Sequence, residues 1–228
     1  METDGMKAIS ELLKLEAPQI QWRDGEIEEW ERAQAERRKS AWHRRQVPER
    51  YWNERISTYN ARTEEQRNAK AKAESFVQAA RRGKFQTLLL LGSPGTGKTH
   101  LACGIVYECG GLYRQSSAVC AELRRAKSFS ASRTEEEILD GYGSAGLLVI
   151  DEIGRGSSAD EERNALYQII NGRYNRRRPT VLVSNLGKKD FLSYAGIACA
   201  DRLTESAQVV ELSGQSYRGE IRRKGYDQ

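Results

Sequence analysis

Eight consecutive residues, from Gly92 to Thr99, have the types and the spacing needed to hold a phosphate chain. They read GSPGTGKT, a pattern in which glycines let the backbone fold tightly and point its N–H groups at phosphate oxygens. Lys98 is expected to reach the β- and γ-phosphates, and the Thr99 hydroxyl to bind Mg²⁺. A helix that begins here offers its positive end to the same anions. The run predicts an ATP site, and a glycine-rich turn before a helix is the alternative.

The residues after this run read as an apolar helix through Leu101, Ile105 and Val106. Gly104 lies inside it, where a glycine costs about 1 kcal/mol relative to alanine, and close helix packing is our interpretation of it. We predict that the nucleotide is bound by the glycine-rich run and the histidine that follows: Gly92, Ser93, Pro94, Gly95, Thr96, Gly97, Lys98, Thr99 and His100.

Two acidic residues end a second apolar run, LLVIDE over residues 147–152. An apolar strand that ends in two acids is typical of a Walker B motif. Asp151 would orient Mg²⁺ and its waters, because a hard cation prefers carboxylate oxygens. Glu152 would be the general base for the attacking water. The alternative is a solvated pair of acids at a strand end.

Three further polar residues are candidates for contact with the γ-phosphate. Asn185 follows the apolar run TVLVS and is similar to the sensor 1 residue of AAA+ ATPases, although asparagine also favours turns. Arg202 precedes the last predicted strand and Arg218 follows it. A guanidinium supplied by a neighbouring subunit stabilises transition-state charge. From the residues alone, a surface arginine is the favoured interpretation of both arginines.

These side chains must be positioned by a sheet, and four apolar runs predict its strands: residues 87–91, 146–150, 180–184 and 209–212. Helical patterns lie between them. Continuous apolar strands that alternate with helices indicate a parallel sheet covered on both faces. We therefore predict an α/β fold, a three-layer α/β/α P-loop domain over residues 80–228, with its site at the carboxyl ends of the strands.

The chain before this domain has a different character. Residues 1–36 contain ten acids and four bases, whereas residues 37–55 contain seven bases and two acids. Helices are predicted over residues 26–46 and 62–82. The predicted organisation is a small helical N-terminal domain over residues 1–46, a linker and helix over 47–79, and the ATPase domain.

Bulk composition restricts the class of protein. Charged residues make up 30% of the 228 residues, the formal net charge is +5 and mean hydropathy is −0.73. We find neither a run of about 18 apolar residues nor a signal peptide, so we expect a cytoplasmic protein without membrane contact. The four cysteines form no C-x-x-C pair, which argues against structural zinc.

Together the motifs resemble the DnaC-like bacterial replicative helicase loaders, AAA+ ATPases of the ASCE class that are related to the replication initiator ATPase and to IstB-type transposition helpers. The resemblance covers about residues 50–228 and rests on these segments: GSPGTGKTHLA (92–102), LLVIDEIG (147–154), RRRPTVLVSN (176–185), DRL (201–203) and SYRG (216–219). It implies that Arg202 is an arginine finger acting on a neighbouring copy and that Arg218 is a sensor 2 residue.

The resemblance also implies partners. Residues 1–46 would grip a replicative helicase hexamer, and the alternative for them is an amphipathic helix packed on its own ATPase domain. Single-stranded DNA would bind residues 116–133, with Arg124, Arg125 and Lys127 on phosphates and Phe129 under a base. A surface helix with ordinary charges is the alternative there. The protein would also assemble with copies of itself.

Three functional hypotheses follow. The first is an ATPase that loads the replicative helicase onto single-stranded DNA. The second is an IstB-type ATPase helper of transposition, which would prefer duplex DNA and bind no helicase. The third is a non-catalytic adaptor that holds ATP as a structural ligand, and the intact Lys98, Asp151 and Glu152 argue against it.

Overall fold

The structure, a computed structural model, describes residues 25–128, 130–156 and 158–214. Within them, strands alternate with helices from β1 onward. The strands are β1 Thr87–Gly92, β2 Leu112–Gln115, β3 Leu148–Ile153, β4 Thr180–Ser184 and β5 Ala207–Leu212. The helices are α1 Glu26–Gln46, α2 Glu64–Arg81, α3 Lys98–Cys109, α4 Ser116–Ala126, α5 Glu135–Ser144, α6 Ala159–Asn175, α7 Lys188–Ala195 and α8 Ile197–Ser206, with a 3-10 helix at Glu49–Tyr51. None of the described helices is long and apolar enough to cross a bilayer.

The described strands form one parallel sheet in the order β2-β3-β4-β1-β5. β1 lies inside the sheet, because Leu89 pairs with Leu182 of β4 on one side and with Val209 of β5 on the other. Parallel pairing places the carboxyl ends of all these strands at one edge. The predicted α/β fold with a parallel sheet is confirmed.

β2 is the strand that the apolar runs did not predict. It occupies the edge of the sheet beside β3, where Tyr113 pairs with Val149. Its sequence, LYRQ, has one buried residue, Tyr113, because an edge strand has a neighbour on one side only and needs no continuous apolar run. β3 also extends beyond the predicted run and includes both acids, ending at Ile153.

The two faces of the sheet carry separate layers of helix, as the three-layer prediction required. Side chains of β1 alternate between them: Leu88 and Leu90 belong to one apolar cluster, and Leu89 and Leu91 to the other. The first cluster contains buried residues of α2 and α3, and the second those of α4 to α8.

The chain divides into two compact units, Met1–Arg38 and Lys39–Gln228. In the second unit, residues that precede α2 pack into the core of the α/β domain. His43 and Val47 are buried, and His43 Nε2 lies 3.1 Å from the Cys103 carbonyl oxygen. The assignment of residues 1–46 and 47–79 to separate functional parts stays a prediction.

Candidate nucleotide-binding site

The glycine-rich loop joins β1 to α3 at the carboxyl edge of the sheet. Its first residue is wedged between neighbouring strands, since the Gly92 N–H donates to the Leu186 carbonyl at 3.0 Å. Gly92 has φ +107°, and a Cβ there would lie 2.3 Å from the Leu212 carbonyl oxygen. Only glycine fits this position, so the tight start of the loop is a direct consequence of the sequence.

Lys98 begins α3 and folds back over the loop. Its buried ammonium lies 2.7 Å from the carbonyl oxygens of Gly92 and Ser93. These two carbonyl oxygens therefore hold the Lys98 ammonium at the glycine-rich loop, next to the N–H groups of the first turn of α3. This arrangement concentrates positive potential where an anion binds.

Asp151 lies beside the loop in a hydrogen-bonded pocket. It accepts from the Tyr113 hydroxyl at 2.7 Å and from the Glu152 N–H at 2.6 Å, and Thr99 lines the same cavity. Burial raises the pKa of the Asp151 carboxyl, while the hydrogen bonds from Tyr113 and the Glu152 N–H oppose that rise. The Thr99 hydroxyl and the Asp151 carboxylate form an oxygen donor pair of the kind that suits Mg²⁺.

Glu152 follows in a strained conformation. Its φ is +60°, a region that residues with a side chain rarely adopt and that is often found at functional sites. Its carboxylate is partly exposed and lies 3.1 Å from the Arg155 guanidinium. Asn185 follows β4, the neighbour of both β1 and β3, and faces the same cavity.

A cavity of about 310 Å³ brings these residues together. Pro94 to His100, Asp151, Glu152 and Asn185 line it. Most of its remaining wall comes from a segment between α1 and α2 that we call the strap, residues 49–60, and Gln66, Arg155 and Ser184 complete the lining. The predicted phosphate-binding and acidic residues thus meet in one place, whereas the contribution of the strap was not predicted.

The strap is fastened to the loop by Tyr59 and His100. Burial raises the pKa of Tyr59 to about 12, so its phenol stays protonated and donates to the Thr96 carbonyl at 3.0 Å. The His100 imidazole reaches the strap with both nitrogens: Nδ1 lies 2.7 Å from the Glu54 carboxylate and Nε2 2.7 Å from the Arg55 carbonyl. His100 therefore lines the cavity and also positions its wall.

Sequence reasoning missed Tyr113, Tyr59 and Glu54 as parts of this site. Tyr113 is on the edge strand β2, and its hydroxyl meets a carboxylate 38 residues away. Burial and then the nearby Asp151 charge raise the pKa of Tyr113, which keeps it a hydrogen-bond donor. No spacing rule connects residues this far apart, and the apolar patterns gave no signal for either tyrosine.

Other predicted site residues lie elsewhere. Arg202 is on α8 and is absent from the lining of the nucleotide cavity. Its guanidinium lies 2.7 Å from the Asp201 carboxylate and 3.3 Å from the Asn171 amide oxygen, and it packs 5.2 Å from the centre of the Tyr174 ring. Arg218 lies outside the described residues.

The predicted DNA-binding residues are at the end of α4. Arg124 forms an exposed ion pair with Glu161 at 2.8 Å, and the Arg125 Nε donates to the Ala121 carbonyl at 3.2 Å. Lys127 ends the helix and is exposed. Phe129 lies outside the described residues.

The sequence matches the family model described as IstB-like ATP binding protein over residues 25–225. It is 32% identical to the replicative helicase loader DnaC of Escherichia coli K12 over 178 residues, which cover 75% of this chain and 71% of that protein. It is also 32% identical to an insertion sequence IS21 putative ATP-binding protein of Pseudomonas aeruginosa over 151 residues, covering 62% of this chain and 56% of that protein.

Solved structures share the fold. A crystal structure of the DnaC helicase loader matches with a TM-score of 0.63 at 24% identity, covering 72% of this chain and 99% of that chain. AMPPCP-bound DnaA from Aquifex aeolicus matches with a TM-score of 0.58 at 19% identity, covering 79% of this chain and 56% of that chain. With its parallel P-loop fold and a family match over 25–225, the chain belongs to the family of IstB-like ATP-binding AAA+ proteins, as the resemblance to DnaC-like loaders implied.

Proposed function

We propose that this protein is a Mg²⁺-dependent ATPase that loads a replicative helicase hexamer onto single-stranded DNA in the cytoplasm. The observation that carries the proposal is the combination of two features. One is 32% identity to a replicative helicase loader across 75% of the chain. The other is the grouping of Lys98, Thr99, Asp151, Glu152 and Asn185 around one cavity.

The site residues have distinct roles in the proposed reaction. Thr99 and Asp151 would hold Mg²⁺, which supplies charge neutralisation to the phosphates when it is bound. Lys98 binds the β- and γ-phosphates, and Glu152 accepts the proton of the attacking water. Asn185 orients that water or the γ-phosphate from the neighbouring strand. Arg218 would contact the γ-phosphate from the same chain.

The helicase contact is proposed to lie in the N-terminal part, residues 1–46. His43 is buried in the ATPase unit, so a deletion that tests this contact should end at Arg38, where the first compact unit ends. We expect the full chain to capture the replicative helicase hexamer of its host in a pull-down, and the variant that lacks residues 1–38 to lose capture while it still binds ATP.

Two outcomes of that pull-down would contradict the proposal. Equal capture by both proteins would place the helicase contact in the ATPase unit. No capture by the full chain would remove the loader function for that helicase and leave the ATPase site unaffected. ATP binding by both proteins serves as the control for folding.

Self-assembly is proposed to complete the site, with Arg202 acting on the nucleotide of a neighbouring copy. Its absence from the cavity of its own chain supports a role in trans. Arg202→Ala should reduce DNA-stimulated turnover about 10³-fold or more, the range for a lost arginine finger, and leave ATP affinity nearly unchanged. A mixture with Glu152→Gln chains should recover turnover, because the Glu152→Gln chain supplies the arginine. Turnover by Arg202→Ala equal to that of the unaltered protein would refute the role in trans.

Single-stranded DNA is proposed to contact the end of α4, where Arg125 and Lys127 present exposed cations.

A second candidate function is the IstB-type transposition helper, favoured by the relatives from insertion sequences. A strong preference for duplex over single-stranded DNA, together with no helicase capture, would select it.

A further inference from the structure

Two basic turns lie side by side at the amino edge of the sheet, opposite the edge that carries the nucleotide cavity. One joins α2 to β1 and reads RRGK over residues 81–84, and the other joins α6 to β4 and reads RRR over residues 176–178. They are neighbours because β1 pairs with β4: the Thr180 N–H donates to the Gln86 carbonyl at 3.1 Å. The Arg177 guanidinium also packs 5.5 Å from the centre of the Phe85 ring.

Between these turns lies an open groove of about 590 Å³, which we call the amino-edge groove. Trp42, Arg81, Arg177 and Arg178 form its sides. The other lining residues come mainly from the ends of α2 and α5 and from the turns before β2 and β3, and they include glycines and alanines beside Leu112, Leu147 and Pro179.

The groove has an excess of positive charge. Arg82, Lys84, Arg177 and Arg178 are exposed and have no carboxylate partner within residues 25–128, 130–156 and 158–214. Arg81 shares the Glu108 carboxylate with a lysine of α1. Uncompensated cations on facing turns repel one another, so a polyanion is the ligand that this surface favours.

A buried arginine precedes the second of these turns. Arg173 is 1% exposed and directs its guanidinium to the carbonyl oxygens of Tyr142 and Pro179, at 2.6 Å each. Burial, and then the charge of Arg178, lower the pKa of Arg173 to about 9. Arg173 is therefore held by backbone oxygens inside the fold, and the groove carries the exposed arginines that follow it in the chain.

Trp42 adds an aromatic surface to the cations. It is 44% exposed, and its Nε1–H donates to the Gly111 carbonyl at 3.2 Å, which fixes the indole at the side of the groove. An exposed, fixed aromatic ring beside arginines is the combination that binds unpaired bases, because the ring stacks on a base while guanidinium groups bind phosphates.

We propose that the amino-edge groove binds single-stranded nucleic acid, with phosphates along Arg177, Arg178 and Arg81 and a base stacked on Trp42. β1 separates this groove from the phosphate loop by roughly 17–20 Å, the length of a six-residue strand. The groove is thus distinct from the ATP site, and its lining contains none of the α4 residues proposed to contact DNA. The inference goes beyond the proposed loading function and does not depend on a helicase partner.

The test compares three variants of the full chain by fluorescence anisotropy with a labelled oligothymidylate at several salt concentrations. The first is the double charge reversal Arg177→Glu with Arg178→Glu. Its matched control is Lys188→Glu with Lys189→Glu, two exposed lysines at the opposite edge of the sheet. The third is Trp42→Leu, which removes the ring without a change of charge.

We expect the groove reversal to weaken binding at least tenfold and to reduce the slope of log affinity against log salt by roughly 1.4, the value for two lost phosphate contacts on a single strand. Trp42→Leu should weaken binding about tenfold and leave the slope unchanged, because stacking releases no counterions. The control should bind as the unaltered protein does, and all three should keep ATP affinity, which also reports that they are folded.

Several results would overturn the proposal. If the groove reversal and its control lost affinity for the oligothymidylate equally, the loss would be explained by the change in net charge alone. Tighter binding of duplex, or competition by polyglutamate as effective as that by unlabelled oligothymidylate, would assign the groove to another polyanion. Unchanged binding in the groove reversal, with binding lost in Arg125→Glu with Lys127→Glu, would leave α4 as the DNA contact. Failure of helicase capture alone would not affect the groove.

Discussion

Replacement of Glu152 by glutamine is expected to reduce ATP turnover by about 10²–10⁴-fold, the contribution of a well-placed general base. The amide has nearly the shape of the carboxylate but cannot accept the proton of the attacking water. ATP affinity should stay within a few-fold of that of the unaltered protein, because Lys98 and the loop N–H groups remain in place.

The geometry around Glu152 explains why this residue, rather than Asp151, is the expected base. Asp151 is buried and already accepts hydrogen bonds from Tyr113 and from the Glu152 N–H. Glu152 is held at φ +60°, and its carboxylate is partly exposed at the cavity. Its contact with Arg155 is with an exposed guanidinium, which can be exchanged for water at small cost.

Turnover should be measured as phosphate release with and without single-stranded DNA, alongside ATP affinity. Glu74→Gln is the matched control, since it makes the same chemical change on an exposed residue of α2. It should leave both quantities unchanged. If Glu152→Gln hydrolysed ATP at a rate near that of the unaltered protein, the base would have to be another group at the cavity.

Sequence alone could predict those parts of the site in which the functional residues directly follow a strand along the chain. The glycine-rich run and the Asp151–Glu152 pair each follow an apolar strand, so fold and chemistry are specified by neighbouring residues. The contacts that complete the site join distant parts of the chain. Tyr59 to Thr96 spans 37 residues, and Tyr113 to Asp151 spans 38, and no local pattern encodes either.

The pattern of charges in the sequence also does not distinguish buried arginines from exposed ones. Arg173 stands in the sequence beside Arg176, Arg177 and Arg178, and composition groups all four as one basic cluster. In the structure Arg173 is buried and binds carbonyl oxygens, while the others are exposed at the turn. Helix α6 separates them, because the last helical turn directs Arg173 toward the sheet and the turn that follows directs its neighbours to solvent.

Gly104 has a low helix propensity but allows close packing inside α3. The strap crosses α3 at this glycine, and a Cβ there would lie 2.7 Å from the Ile56 nitrogen and 3.1 Å from the Arg55 carbonyl carbon. Both are backbone atoms, so a side chain must displace the strap. The close packing predicted for Gly104 is therefore a contact between a helix and the strap that forms a wall of the nucleotide cavity.

Gly104→Ala is accordingly expected to lower ATP affinity about tenfold, or about 1.4 kcal/mol, within the usual cost of overpacking. The displaced strap would carry Tyr59 away from Thr96 and Glu54 away from His100, and the cavity would lose that wall. Equilibrium binding of a fluorescent ATP analogue measures the effect.

Gly172→Ala is the matched control, because Gly172 also lies inside a helix, and a Cβ there would first meet the end of the long Arg176 side chain at 3.4 Å, an ordinary contact distance. In either helix, alanine has a helix propensity about 1 kcal/mol more favourable than that of glycine. The control protein should therefore melt at the same or a higher temperature, and it should keep its affinity for ATP. If Gly104→Ala bound ATP as tightly as Gly172→Ala, the strap would not be part of the nucleotide site. A loss of ATP affinity in Gly104→Ala alone would show that the strap takes part in nucleotide binding. It would also show that the strap keeps its position because Gly104 has no side chain.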